Sequence, residues 1–403
     1  MAVLNLGDLV LPAIWLRDAC SCAECRFPAT GQRLVGSARV ARLFPDTAIE
    51  RHEVRDGRLT VVFAPDGHES AFELAWLDGN APGRRARTGD QSERARVAWT
   101  AKDLPAGPPR VAWDAYLRSP VAMAGALGSV EKLGAAVLTE VPARPGMVLT
   151  VGRSFGHIRV TNYGELFDVR AEPAPEHVAY TEAALSPHTD NPYRDPVPTV
   201  QLLHCLRAAG TGGETSLVDG FAAASRLREA DRDAFDTLSR VWLPFRYEGP
   251  TAVLTCRAPV ISLDDDGAVT QVRWNERGLQ PPDTAPDRIG AVYRALAAFA
   301  EVLDAPDLVV TLRLTPGDCL IFDNTRVLHG RTGYGADGTG QVAGAGGRHL
   351  QGCYVDLDGL RSTLEVLRRD GTRTIPAQAG GRRAAAPRVV ATRASGRPVA
   401  VAR

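Results

Sequence analysis

Apolar and polar positions alternate in short bursts along most of this chain, and only a few stretches repeat at three and four residues. Alternation at period two predicts strands, whereas three-and-four spacing predicts helices. RLTVVFA and ESAFELAWL, either side of the turn PDGH, predict a strand pair near the amino terminus. GAAVLTEVP predicts a buried strand, and VPTVQLLHCLR, TSLVDG, DLVVTLRLTPGDCLIFDN and HLQGCYVDLDG predict further short strands. Helices are predicted at RVAWDAYLRS, VAMAGALGSVEKLG, FAAASRLREADRDAFDTLSRV and APDRIGAVYRALAAFAEVLDA. GNAPGRRARTGDQSERAR has no period and reads as a solvated connection. QAGGRRAAAPRVVATRASGRPVAVAR reads as a disordered, solvated tail. The pattern therefore gives an amino-terminal β-rich module over 1–85, a linker over 86–110, a larger domain over 111–370 and a tail over 371–403. Mostly β structure with a few covering helices predicts a sandwich or jelly roll for the larger domain.

Composition narrows the classes without choosing one. The chain has 403 residues, enough for one or two domains, with 44% hydrophobic and 23% charged residues. Basic and acidic residues balance at 47 each, which argues against a nucleic-acid or membrane-surface protein. MAVLNLGDLV lacks the basic start and apolar core of a signal peptide, and no apolar run approaches the roughly 20 residues of a membrane helix. The expectation is a soluble, cytoplasmic protein. Seven cysteines, an odd number, argue weakly against a disulfide framework. Cys205, Cys256, Cys319 and Cys353 stand in apolar surroundings and read as buried thiols.

The chemistry begins at LSPHTDNPY, where His188 and Asp190 stand two apart. On a strand they project to one face, as two ligands of one metal would. TPGDCLIFDNTRVLHGRTGY supplies a third ligand, His329. Two histidines and one carboxylate occupy one face of an octahedral iron and leave the other open for a cosubstrate and oxygen. An isolated HxD is a weak signal, and a lone histidine is more often a satisfied core residue. Two further residues strengthen it. Arg348, in GRHLQGCYVD, can clamp a dicarboxylate, and Thr215, in TGGETSLVDG, offers a hydroxyl to the same molecule. A second metal set lies in IWLRDACSCAECRFPATGQR, where Cys20, Cys22 and Cys25 need one more ligand to close a tetrahedral zinc. His68, in APDGHESAFELAWL, is the first candidate and His52 the second. Four protein ligands leave no open position, so this site reads as structural.

HTD, GGET, FDNTRVLHGR and a following arginine together resemble the 2-oxoglutarate-dependent oxygenases of the taurine dioxygenase type, over roughly residues 150–365. The resemblance implies a double-stranded β-helix, Fe(II) on His188, Asp190 and His329, and 2-oxoglutarate on Thr215 and Arg348. With the amino-terminal CxCxxC, and with LRDACSC, DGHES, VAY, QLLHC, GGETSLVDGF and LQGCYVD, nearly the whole chain is similar to the γ-butyrobetaine hydroxylase and trimethyllysine hydroxylase group. That similarity implies a hydroxylase that couples decarboxylation of 2-oxoglutarate to hydroxylation of a C–H bond with O2. It also implies structural Zn(II), a homodimer and stimulation by ascorbate in vitro.

The same resemblance implies an aromatic cage for a trimethylammonium group, formed by Tyr163, Phe167, Tyr180 and Tyr354, with phenylalanine where the group usually has tryptophan. At the anionic end Asn275 matches the group, while His177 and Asn191 replace its usual asparagine and tyrosine. Tyr193 and Arg277 are further candidates there. More donors and more positive charge point to an anion bulkier than a carboxylate, such as the phosphonate of trimethylaminoethylphosphonate. Rival readings are a taurine-type oxygenase acting on a sulfonate or a specialised-metabolite intermediate, and a metal-bound sensor or scaffold without turnover. A third takes the CxCxxC module as a macromolecule-binding zinc element, against which the neutral charge argues.

Overall fold

The computed structural model describes residues 2–83, 96–171, 181–334 and 347–370. The chain divides into two compact units, Met1–Ala95 and Arg96–Arg403. The first part of the expected linker, the expected tail, His177 and Tyr180 lie outside the described residues.

In the first unit a hairpin, Val3–Leu6 (β1) and Leu9–Pro12 (β2), leads into helices Ala13–Ala19 (α1) and Ser37–Leu43 (α2). Ala48–Arg55 (β3), Arg58–Ala64 (β4) and Glu69–Glu73 (β5) then form an antiparallel sheet, and Leu74–Asn80 (α3) follows. Alternate residues of β4, Leu59, Val61 and Phe63, enter a core with Leu11, Leu16 and Leu77. The expected strand ESAFELAWL stops at Glu73, and its second half is α3. LAWL satisfies both periods over so few residues, and packing of Leu77 into the core decides for the helix.

The second unit opens with Arg110–Ala112 (β6), Trp113–Arg118 (α4), Pro120–Leu133 (α5), Ala135–Thr139 (β7) and Met147–Phe155 (α6). RVAWDAYLRS is thus a strand and a helix rather than one helix. Ser119 accepts a hydrogen bond from the Ala122 N–H and Pro120 begins α5, while Gly134 ends it at φ 81°. Glycine is needed twice over there, because a Cβ would also fall 2.7 Å from the Val327 side chain. Next come Phe167–Arg170 (β8), Leu185–His188 (β9), Val200–Arg207 (β10) and Thr215–Asp219 (β11). The expected helix from Phe221 is two, Gly220–Ala230 (α7) and Arg232–Arg240 (α8), because Asp231 leaves helical geometry and its side chain caps α8 at the Ala234 N–H. Four short strands follow, Leu243–Glu248 (β12), Val253–Ala258 (β13), Ile261–Leu263 (β14) and Val269–Val272 (β15), and then helix Pro286–Leu303 (α9). The unit closes with Val310–Leu312 (β16), Cys319–Asp323 (β17), Val327–Arg331 (β18), His349–Val355 (β19) and Leu357–Asp370 (α10). The sequence reading contains neither α6 nor α10.

Two sheets organise this unit. The larger has the order β6-β7-β17-β10-β19-β8 and the smaller β16-β11-β18-β9, all antiparallel except β6 with β7. This is the mainly β, helix-covered fold of the double-stranded β-helix class. Alternation assigns each face of the larger sheet. Val200, Leu202, Ile321, Cys353 and Val355 pack with α5, α6 and α10, while Leu203, Leu320, Phe322 and Leu350 join Leu217 and Val327 of the smaller sheet. Gln201 and Tyr354 have the parity of the second set, which turns them toward the space between the sheets. A buried ion pair secures one side: Arg326 meets both oxygens of Asp219 at 3.0 and 2.8 Å, and Asp219 also caps α7 at the Phe221 N–H.

Candidate active site and metal centres

Strand pairing builds the first metal set. His188 ends β9 and is the direct cross-strand partner of His329 in β18, so the two imidazoles face each other with ring centres 4.4 Å apart. Asp190 lies two residues beyond His188, past the end of the strand. Its position therefore comes from the chain turn rather than from strand alternation. That turn passes through Asn191 at φ 53°. Asn324 fixes it from the side: its side chain accepts from the Asp190 N–H at 2.7 Å and donates to the Asp190 carbonyl at 3.0 Å. One donor atom from each of the three residues lies within 4.8 Å of the others.

Electrostatics suit a cation. Burial, with His188 alongside, pushes the His329 imidazole down to about 3, so it is neutral with a lone pair to give. His188 Nδ1 donates to the Ser186 carbonyl at 2.9 Å, which leaves Nε2 as the ligand atom. Burial opposes ionisation of Asp190, but the neighbouring imidazoles of His188 and His329 and the hydrogen bond from the Tyr354 hydroxyl outweigh it. The carboxyl is held well below the usual carboxylate range. Two imidazoles and one carboxylate, all buried or half-buried, are a donor set that fits Fe(II).

The set opens into a cavity of about 490 Å3 that also exposes Thr215 and Arg348. Arg348 is 6% exposed, and among the described residues no carboxylate pairs with it; its guanidinium lies 5.8 Å from the Tyr334 ring centre. A buried cation without an anion is costly unless a ligand supplies one. Thr215, at the head of β11, is buried and lines the same cavity. This pair fits a dicarboxylate cosubstrate.

Aromatic rings line the rest. Tyr163 and Phe167 are 6.4 Å apart by ring centres, and Phe167 and Tyr354 stack at 5.1 Å. Tyr193 shares a hydroxyl–hydroxyl bond of 3.1 Å with Tyr163, and Tyr247 packs on both, at 5.1 and 6.0 Å. Tyr193 thus belongs with the aromatic group. Burial pushes the Tyr163 phenol up to about 12 and raises Tyr193 further, so both stay neutral. Asn191, Asn275 and Arg277 also line the cavity. Asn275 donates to the Thr189 carbonyl at 3.1 Å, and both polar atoms of the buried Asn191 amide have no partner among the described residues. Tyr247, Arg246, Gln201 and Asn324 were missed by sequence reading. Arg246 and Tyr247 carry no spacing signal, and Gln201 and Asn324 stand inside QLLHC and FDNTRVLHGR without being marked there as site residues.

In the first unit, Cys20, Cys22, Cys25 and His68 form the second metal set. His68 Nε2 stands 3.2, 3.6 and 3.6 Å from the three sulfurs. Ligands of one tetrahedral zinc, at 2.0–2.3 Å from it, are about 3.5–3.8 Å apart, so the cluster is close to metal-ready. His52 is exposed on β3 and outside the cluster. Arg17, another residue missed in the sequence, donates to Cys25 Sγ at 3.3 Å and twice to Asp66 at 3.0 Å. Three thiolates on a dication leave one net negative charge, and Arg17 offsets it.

Among the described residues no helix is long and apolar enough to cross a membrane. Residues 102–354 match the family model of taurine catabolism dioxygenase TauD, TfdA family, and residues 7–78 match that of the γ-butyrobetaine hydroxylase-like amino-terminal domain. The chain is 34% identical to a γ-butyrobetaine dioxygenase of Pseudomonas sp. strain AK-1, over 88% of this chain and 90% of that protein. A trimethyllysine dioxygenase of Meyerozyma guilliermondii is 31% identical over 88% and 89%, and the human γ-butyrobetaine dioxygenase 31% over 90% and 92%.

Proposed function

The chain belongs to the taurine catabolism dioxygenase TauD, TfdA family, and from that premise we propose an Fe(II)- and 2-oxoglutarate-dependent hydroxylase of a small quaternary-ammonium zwitterion. The observation that carries the reading is one cavity lined by both the His188, Asp190, His329 set and a group of five aromatic rings. Among its described lining residues the carboxylates are Asp190, committed to metal, and Glu248, bonded to Arg246 at 2.7 Å. A cation there meets π faces rather than a free carboxylate, which favours a methylated ammonium over a hydrogen-bonding amine. Arg277 and the amides of Asn191 and Asn275 supply donors for the anionic end.

His188, Asp190 and His329 would hold Fe(II), and Arg348 with Thr215 would take the far carboxylate of 2-oxoglutarate. Bound iron and 2-oxoglutarate supply the oxidising chemistry with O2, yielding succinate and CO2. The protein's part is to present one methylene of the substrate and to exclude water. Cys20, Cys22, Cys25 and His68 would hold structural Zn(II). Homodimerisation and ascorbate stimulation follow from the family reading alone.

The relatives' named substrates and the donors at the anionic end define the test. Succinate release and product mass are measured on iron-loaded protein with γ-butyrobetaine, trimethyllysine, trimethylaminoethylphosphonate and taurine. A gain of one oxygen on a trimethylammonium compound is expected, and preference for the phosphonate would assign the anion. Hydroxylation of taurine alone would overturn the reading in favour of a sulfonate oxygenase.

A further inference from the structure

Asp190 has two oxygens, and the structure treats them differently. Oδ1 faces His188 Nε2 at 3.4 Å. Oδ2 accepts two hydrogen bonds, from Gln201 Nε2 at 2.8 Å and from the Tyr354 hydroxyl at 2.8 Å. The two donors are direct cross-strand partners on β10 and β19, so register alone brings them to one atom. Two hydrogen bonds fill the acceptor capacity of that oxygen.

Gln201 is an unusual residue to find there. It is 1% exposed, and it interrupts a strand whose neighbours Val200, Leu202 and Leu203 are core. Its other polar atom, Oε1, is buried with no partner among the described residues. The amide orientation follows from chemistry, since the opposite flip would set Oε1 against a carboxylate. A residue kept only for packing would be leucine. Gln201 leaves one buried acceptor unsatisfied and keeps a single strong bond, to Asp190.

We propose that Gln201 and Tyr354 are positioning residues that restrict Asp190 to one metal-binding oxygen and thereby keep a coordination position free for O2. A carboxylate that binds through both oxygens takes two of six positions. With two imidazoles and a chelating 2-oxoglutarate, that would fill an octahedral ion. Held by Oδ2, Asp190 supplies Oδ1 only. Asn324 completes the restraint by gripping the Asp190 backbone at both its N–H and its carbonyl. Tyr354 performs a second task with its ring, which stacks on Phe167 in the aromatic group. The surface that receives the ammonium and the donor that steers the iron ligand are one side chain.

The inference rests on the iron reading, and the experiment separates the two. Wild type, Gln201→Leu, Tyr354→Phe and the double variant are loaded with Fe(II) and 2-oxoglutarate without oxygen. Nitric oxide is then titrated as an oxygen surrogate, followed by electron paramagnetic resonance. Each single variant should bind nitric oxide more weakly, and the double variant at least about tenfold more weakly, with turnover down about 10–100-fold. Zinc content and the thermal midpoint should stay at wild-type values, which a merely structural role for Gln201 would not allow. Tyr354→Phe keeps the ring, so its affinity for the trimethylammonium substrate should change far less than its nitric oxide affinity. Wild-type nitric oxide binding in the double variant would overturn the proposal alone. An iron–nitrosyl signal that survives His188→Ala unchanged would overturn the iron site, and the proposal with it. Should the double variant fail to fold, the near-isosteric Tyr354→Phe decides: unchanged nitric oxide affinity overturns the shared restraint.

Discussion

Arg348 and Gly352 show how much one position can decide. Arg348 is a buried cation, and the proposed cosubstrate would supply its counter-charge. Arg348→Lys keeps the charge but loses the planar fork that grips a carboxylate at two points. A lost charge-assisted bond is worth about 1.5–3 kcal/mol, so the KM for 2-oxoglutarate should rise about 10–150-fold. Substrate affinity, measured without turnover, should barely move. Gly352 acts by its missing side chain. It is the cross-strand partner of Phe167, and a Cβ on it would fall 2.3 Å from the Phe167 ring. Gly352→Ala should push that ring out of its stack with Tyr354, costing about 1–3 kcal/mol of stability. It should raise the KM for the ammonium substrate while leaving that for 2-oxoglutarate unchanged. Neither expectation is visible in the sequence to the same degree. Arg348 drew notice because an arginine about twenty residues past His329 has a chemical use, although it stands just before β19 rather than in it. Gly352 did not, because its need for smallness comes from a ring on a strand 185 positions away, the difference of 352 and 167.

At the scale of elements, strand alternation was the right argument for the wrong stretch. His188 and Asp190 were read as two positions of one strand, but β9 ends at His188 and a turn gripped by Asn324 carries Asp190. The ligands still converge, because the turn replaces what the strand would have done. The short cysteine loop was legible for a firmer reason: CxCxxC leaves three sulfurs few ways to be apart. What sequence could not show is that α1 sends Arg17 across to both Cys25 and the Asp66 turn that carries His68. Arg17 therefore ties two distant segments of the cluster and balances its charge. Arg17→Gln should weaken zinc binding about 10–100-fold in competition with a chromophoric chelator. Cys22→Ser should lower zinc content outright and lower the stability of the first unit. Iron binding at the other site should be untouched by both, and a parallel loss there would contradict the assignment of two independent centres.

The whole molecule carries two donor sets of different character, and metal competition should tell them apart. Cys20, Cys22, Cys25 and His68 offer soft sulfur and a closed tetrahedral arrangement, in which structural zinc gains roughly 10–16 kcal/mol of apparent binding free energy. His188, Asp190 and His329 offer nitrogen and oxygen with open positions, and such a site does not prefer Fe(II) by affinity. The general order of divalent ions places Co(II) and Ni(II) above Fe(II) at nitrogen and oxygen ligands. Ni(II) should therefore stop turnover competitively with Fe(II), and excess Fe(II) should restore it slowly, while zinc stays at one per chain by elemental analysis. Loss of zinc in step with activity would mean that the two sets do not hold separate ions. Turnover that resists Ni(II) would mean that His188, Asp190 and His329 are not where the working metal sits. The division into two units is the reason to expect separate ions: the iron ligands come from β9, its turn and β18 within the second unit, and every zinc ligand comes from the first.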